Sequence, residues 1–391
     1  MSPADKIPLL DLKAQFAAIK DEIMAPVERI FEQQSFILGP WVEDAEKELA
    51  AYLEVPHAIG VSSGTDALLL SLMALGVGPG DAVLTTPFTF FATVGSIVRL
   101  GAYPVFADID PESFNLDPGQ AARALEAASG RVKAMIPVHL FGQPADMYPL
   151  MTLAQDHGLA VVEDAAQAIG ARYPGPAGGL KPVGSMGSTG CFSFFPSKNL
   201  GGAGDGGLVT TCDDELAQKL RSMRTHGSHP REKYRHLWVG GNFRLDALQA
   251  AVVQAKLPHL EDWSQARRDN AGRYDRLLEQ AGLLEKGLVR PPLRCWPEQP
   301  QSHVFNQYVV RVKERDRLVA ALQEAGIGCA VYYPLPLHLQ ECFAHLGGKE
   351  GDLPVAEQAA REVLALPVYP ELTPAQQERV VGVMADFYRG R

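Results

Sequence analysis

The sequence predicts an α/β protein: a mostly parallel sheet flanked by helices, followed by a smaller C-terminal α/β unit. Three observations predict it. Seven short apolar runs recur at residues 58–61, 82–86, 103–108, 134–139, 160–163, 191–195 and 208–211. Most are continuous rather than alternating, which is the pattern of strands buried on both faces. Helical stretches separate the earlier runs, and strand–helix alternation is the mark of a doubly wound sheet. After about residue 257 the rhythm changes, which implies a second unit.

In chain order, residues 11–53 read mostly as helix, with a break at Phe36-Ile37-Leu38-Gly39-Pro40, where glycine and proline interrupt the periodicity. Helices are expected between the strands at 65–75, 92–100, 118–128 and 149–158. A polar helical stretch, 261–284, leads into a proline-rich connection over 290–300. A strand at 304–312, a helix at 314–325, a strand at 329–333 and a terminal helix from Pro374 complete the chain. The expected division is a large domain over 1–255, N-terminal helical segment included, and a small domain over 256–391.

Composition excludes several classes of function. With 46% hydrophobic and 21% charged residues over 391 positions, this is the make-up of a soluble globular protein. Lys and Arg number 36 against 46 Asp and Glu, a net charge of −10, and a pI of about 5.5 argues against nucleic acid as a partner. The five cysteines are widely spaced, odd in number and without a CxxC pair, so neither a disulfide framework nor a metal site is expected. The opening MSPADKIPLLDLKAQ places Asp and Lys where a signal peptide needs an apolar stretch. The longest apolar run, 67–78, is interrupted by Ser71 and too short for a bilayer. These features read as cytoplasmic, with no membrane partner.

Three segments carry chemistry. Ser62-Ser63-Gly64-Thr65-Asp66 closes one strand and opens a helix, where free N–H groups and the helix dipole favour an anion. The same residues also read as an ordinary N-cap with a tight turn. Leu159-Ala160-Val161-Val162-Glu163-Asp164 runs an apolar strand into an acid, which puts Asp164 at the carboxyl end of a strand, where open α/β sheets bind ligands. A buried carboxylate there needs a cationic partner, although an Asp in this place can also simply cap a helix. Lys198 lies between the aromatic strand Cys191-Phe192-Ser193-Phe194-Phe195 and a glycine-rich loop. An amine desolvated in such a place loses proton affinity, and its neutral form attacks carbonyls. Gly202-Ala203-Gly204-Asp205-Gly206-Gly207 matches the dinucleotide fingerprint but follows no strand and opens no helix, so a nicotinamide site is rejected. Together, an anion turn, a strand-end Asp and a later Lys are what pyridoxal 5′-phosphate requires: a phosphate anchor, an acid for the ring nitrogen and an amine for the aldehyde.

The motifs SSGTDALLLSLMALGVGPGD, TPFTFFAT, PVHLFGQPADM, VVEDAAQAIGA, SFFPSKNLGGAGDGG, GGNFRLDALQAA and VYYPLPLH resemble the pyridoxal-phosphate sugar aminotransferases of the DegT/DnrJ/EryC1/StrS family. The likeness runs from Ile7 to about Pro370. It implies the fold-type-I aminotransferase architecture, with a seven-stranded large-domain sheet and a small C-terminal domain. It also implies roles. Lys198 would hold the cofactor as a Schiff base and shuttle the proton; Asp164 would pair with the pyridine nitrogen; Gln167 would reach the ring's phenolic oxygen. Phe90 would stack on the ring, where the family often has Tyr or Trp. Gly64, Thr65 and Ser193 would bind the phosphate, with Asn242 reaching it from the partner of a homodimer with shared active sites.

Further residues are candidates for substrate contact. His226 lies in the dense basic stretch 221–236, which suits a nucleotide diphosphate but also a solvated loop. Arg244 could grip a carboxylate or support the cofactor loop; Tyr332 and His338 sit in a motif that approaches the sugar in relatives. His139, after a buried strand, reads as a satisfied core histidine. The implied reaction moves an amino group from glutamate to a keto carbon of a nucleotide-linked sugar. Lys198-Asn199-Leu200-Gly201 with Gly204-Asp205-Gly206-Gly207 resembles the 3-amino branch, and SFFPSK resembles enzymes acting on UDP-2-acetamido-3-keto-glucuronate. Competing readings are a dTDP-linked 3-keto or 4-keto 6-deoxyhexose, a keto-inositol, and a binding protein without turnover. The family's dehydratase branch carries histidine in place of the lysine, and Lys198 counts against it.

Overall fold

The computed structural model describes residues 6–128, 130–176 and 178–390. The first five residues of the segment read above for a leader peptide lie outside the described residues. Two helices open the chain, α1 (Leu12–Gln33) and α2 (Pro40–Tyr52). Asp11 caps α1 by accepting from the Lys13 and Ala14 N–H groups, and Pro40 starts α2 at a position that needs no N–H donor. Between them Gly39 takes a φ of 79°, a conformation open to glycine at little cost, so the expected break falls where it was read.

The main sheet contains β1 (His57–Val61), β2 (Ala82–Thr85), β3 (Tyr103–Phe106), β4 (Val132–Ile136), β5 (Ala160–Asp164), β8 (Thr189–Ser193) and β9 (Gly207–Thr211), in the spatial order β1-β9-β8-β5-β4-β2-β3. A small hairpin, β6 (Arg172–Pro174) and β7 (Leu180–Pro182), lies between β5 and β8 in sequence. All seven main strands coincide with the seven apolar runs. Six run parallel, and β9 is antiparallel to both β8 and β1.

The runs are continuous because successive residues face different cores. On β5, Val161 packs with the cluster around Leu150 and Leu125, whereas Val162 packs with that around Leu68 and Leu220. These faces are covered by α3 (Gly64–Ala74), α4 (Phe91–Arg99), α5 (Pro118–Ala127), α6 (Met147–His157) and α7 (Asp214–Met223). Helix α8 (Ala247–Lys256) packs on α1 and α2.

Beyond α8 come the long α9 (Leu260–Gln280) and a second, antiparallel sheet of β10 (Val289–Arg290), β11 (Tyr308–Val312) and β12 (Val363–Leu366). With α10 (Arg315–Glu324) and α12 (Pro374–Arg389) they build a separate core around Tyr274, Tyr308, Leu318 and Met384, while α11 (Pro354–Glu362) packs through Ala356, Ala359 and Ala360 on a cluster with Phe88, Phe114 and Phe141. Ile7 joins this core and pairs its backbone with Ile327, so the N-terminus reaches across to the C-terminal layer. Two expectations are corrected here. Residues 304–307 precede the strand rather than belonging to it, and 329–333 form no strand: only Ala330 pairs, in an isolated bridge to Ala365. Among the described residues no helix is long and apolar enough to cross a membrane.

Candidate active site

The carboxyl ends of β1, β5 and β8 converge on one cavity of about 470 Å³. Its lining includes Gly64, Thr65, Phe90, Asp164, Gln167, Ser193, Lys198 and Tyr332, each singled out from the sequence. The strand-end position of each loop follows from the parallel topology, which gathers these residues at one edge.

The first wall is the start of α3. Ser63 is the N-cap and accepts from the Asp66 N–H at 3.0 Å; the Gly64 and Thr65 N–H groups belong to the turn without intrahelical partners. A Cβ on Gly64 would stand 2.7 Å from the Ser193 Cβ, so only glycine lets the helix start this close to the end of β8. The Ser193 hydroxyl accepts from the Phe195 N–H at 3.2 Å and keeps its own proton to donate. N–H groups, a hydroxyl and a helix N-terminus together make an anion cradle.

Asp164 forms the floor. One carboxylate oxygen accepts from the Thr93 hydroxyl at 2.8 Å and the other from the Ala166 N–H at 3.2 Å. Burial holds its carboxyl above the ordinary aspartate range, against the opposing pull of Thr93, Ala166, Lys198 and His139. Burial also pushes the Lys198 amine down to about 8, with Asp164 resisting. The loop carrying Lys198 is tight: the Lys198 N–H bonds to the Phe195 carbonyl, Gly202 to the Phe194 carbonyl, and the Asn199 amide to the Val304 carbonyl. Gln167 accepts from the Phe141 N–H at 2.8 Å and donates to the Tyr333 hydroxyl at 3.2 Å, leaving one amide proton for a ligand. Phe90 stands at the rim, 57% exposed, its ring 6.3 Å from that of Tyr333.

Four candidates are not brought into the cavity. His338 is buried with Nε2 on Glu357 at 3.1 Å and its ring against Phe106. His226 is exposed, and its carbonyl accepts from His236. Asn242 is exposed and pairs by backbone with Thr225; Arg244 pairs by backbone with Val61, and its buried Nε has no hydrogen-bond partner. In the basic stretch, Arg221 and Arg224 both bind Glu46. His139 is satisfied as expected, between Glu163 and the Ala145 N–H.

Sequence reasoning passed over Thr93, Thr89, Tyr333 and Gln307. The i, i+4 spacing of Thr89 and Thr93 was the available signal for the first pair, whose hydroxyls lie 3.0 Å apart beneath Asp164. Tyr333 and Gln307 carried no signal of their own, because the 330s segment and the residue before strand β11 reach the cavity only in three dimensions.

The residues present fit pyridoxal phosphate. The cradle at Gly64 and Ser193 suits a dianion, the buried Asp164 lacks a full cationic partner that a pyridinium would supply, and an amine whose proton affinity burial has lowered shares the cavity.

Comparison with known proteins agrees. The DegT/DnrJ/EryC1/StrS aminotransferase family matches residues 17–385. The chain is 51% identical to a "pleiotropic regulatory protein" of Geobacillus stearothermophilus, covering 98% of this chain and 99% of that one. It is 45% identical to the UDP-N-acetyl-3-dehydro-alpha-D-glucosamine 3-aminotransferase of Acidithiobacillus ferrooxidans over the full length of both. It superposes on DesV of S. venezuelae, solved in complex with a ketimine intermediate, with a TM-score of 0.89 and 41% identity over 98% of each chain. The chain belongs to the DegT/DnrJ/EryC1/StrS family of pyridoxal-phosphate-dependent sugar aminotransferases.

Proposed function

We propose that this protein transfers the amino group of glutamate to C-3 of a UDP-linked 2-acetamido-3-keto sugar, with the glucuronate form as the reading the SFFPSK motif favours. The observation that carries the reaction class is the meeting of Lys198, Asp164 and the Gly64–Ser193 cradle in one cavity. When bound, the cofactor supplies an aldehyde and an electron-withdrawing ring that stabilises charge at the amine-bearing carbon. Gly64, Thr65 and Ser193 would hold the phosphate, Asp164 would keep the ring nitrogen protonated, and Gln167 would offer its free amide proton to the ring oxygen. Phe90, at the rim, would pack on the ring. Lys198 would tether the cofactor and, with its amine lowered to about 8 by burial, would take and return a proton at the substrate carbon.

The remaining assignments extend this reading. Asn242 lies outside its own cavity, as a residue serving the partner's phosphate in a homodimer would. Arg244 and His226 would be substrate contacts only in such an assembly, Tyr332 would contact substrate within the chain, and the expected contact by His338 is set aside because its side chain is buried on Glu357 and Phe106. The separate core around Tyr308 supports a division of the chain near residue 255. Five free cysteines support a cytoplasmic setting.

The test has two stages. The purified holoprotein should be yellow, and glutamate should shift its absorbance; no shift would favour a regulator without turnover, the reading suggested by the name of the Geobacillus relative. The aminated enzyme is then offered a panel of UDP- and dTDP-linked keto-sugars, and proton couplings in the product give the position of the amine. An amine at C-4 overturns the regiochemistry.

A further inference from the structure

The cavity wall holds a polar side chain that none of these roles uses. Gln307, immediately before β11, lines the cavity, and its Oε1 is buried without a hydrogen-bond partner. Behind it, Gln307 shares a chamber of about 40 Å³ with Ser197, Tyr332 and Asn306. Asn306 is 6% exposed, and neither its Oδ1 nor its Nδ2 is partnered. Buried amides are nearly always paired, and each one left unpaired is costly. Asn306 faces only the small chamber, which has room for water, whereas Gln307 Oε1 faces the cavity wall, where a ligand can complete it.

Charge points the same way. Among the described residues lining the cavity, Lys198 is the single Lys or Arg, while Asp164 and Asp205 are acidic. With Lys198 committed to the cofactor, no other cation of the lining is left to donate to that oxygen, so its hydrogen-bond donor must come from a ligand. We propose that Gln307 is a substrate-contacting, affinity-determining residue whose Oε1 accepts a hydrogen bond from the incoming substrate, either from the ammonium group of the amino donor or from a hydroxyl or amide N–H of the sugar. The inference rests on the aminotransferase reading of the site.

Gln307→Leu removes the accepting oxygen, and Gln307→Glu keeps an accepting oxygen in the same shape while adding negative charge. Both are made as holoenzymes, with the cofactor spectrum and the melting temperature recorded first. The two half-reactions are then followed separately in single turnovers, one with L-glutamate and one with UDP-N-acetyl-3-dehydro-glucosamine. In Gln307→Leu the apparent Kd for one probe should rise about tenfold, with its maximal rate changed less than about twofold. If that probe is glutamate, Gln307→Glu should restore most of its binding, because a carboxylate still accepts from the ammonium group. A rise confined to glutamate assigns the contact to the donor ammonium, and one confined to the sugar assigns it to a sugar hydroxyl or N–H. Affinities for both probes within about twofold of wild type, or a loss explained by a missing cofactor spectrum or a lowered melting temperature, overturn the proposal. A wild-type enzyme that reacts with glutamate but with no keto-sugar defeats the substrate reading instead, and Gln307 is then judged on the glutamate arm alone.

Discussion

At the scale of the residue, Asp164 and Lys198 are both moved toward neutrality by burial, and each is the other's partial remedy. The Thr93 hydroxyl, 2.8 Å from Asp164, is a donor that keeps the carboxylate ionised and aimed at the cavity. Thr93→Val removes it while keeping the volume, so the carboxyl should climb further and hold a pyridinium less well. The expected result is cofactor retention weakened about 10- to 150-fold, as a lost hydrogen bond to a charged group implies, with Thr93→Ser restoring most of it; equilibrium dialysis measures both. Lys198 gives a pH prediction with a definite sign. Its amine sits at about 8, below the ordinary lysine value, so the neutral, nucleophilic form grows as pH rises toward 8 and saturates above it. Capture of pyridoxal phosphate by cofactor-free protein should therefore accelerate about tenfold per unit below pH 8 and level off beyond. A profile still climbing at pH 10 would show that burial does not neutralise the amine, and Lys198→Ala should abolish borohydride-fixed cofactor altogether.

At the scale of the element, what positions the site is the locking of helices to strand ends. Glu46 on α2, 7% exposed, accepts from the Gly60 N–H of β1 at 2.8 Å and from Arg221 of α7 at 2.7 Å, and also binds Arg224. Arg224 in turn donates to the Gly60 carbonyl at 3.0 Å, so one buried ion network ties α2, β1 and α7 together just below the anion cradle. Glu46→Leu strands Arg224 as an uncompensated buried charge and should cost about 3–5 kcal/mol in urea unfolding, far more than an exposed pair such as Lys47–Asp44. The same network shows what the sequence could and could not reveal. The seven strands were legible because both faces are buried and every residue of a run is apolar, as at Val161 and Val162. The segment 329–333 looked like another such run, but a strand needs a neighbour, and only Ala330 finds one. The basic stretch was readable as charge yet not as use: Arg221 and Arg224 are taken by an acid some 175 positions earlier, which no local pattern encodes. Gly64, Asp164 and Lys198 could be singled out because each lies in a local motif at or soon after a strand end, whereas Gln307 and Tyr333 enter the cavity from the C-terminal layer.

At the scale of the whole molecule, the chain leaves apolar surface uncovered where the site is thinnest. Phe16, Met24 and Phe31 of α1 are 41%, 44% and 54% exposed, and with Val252 on α8 they line a groove of about 450 Å³. Pro196, Gly202 and Ala203, from the loop carrying Lys198, line the same groove. A second copy seated there would bury these rings and abut the catalytic loop, which is the arrangement a shared active site requires. Asn242 and Arg244, close in sequence and outside their own cavity, are then free to serve the partner's. The consequence is tested by complementation. Lys198→Ala lacks the amine, and Asn242→Ala retains the amine but should hold cofactor phosphate poorly. In a hybrid dimer one site inherits both lesions and the other inherits neither, so mixing two nearly inactive proteins should restore activity approaching half of wild type per hybrid. The mixture must be unfolded and refolded together, or co-expressed, to exchange subunits. A mixture no more active than the sum of its parts, or a fully active monomer in analytical ultracentrifugation, would place Asn242 outside the active site and leave the groove to some other partner.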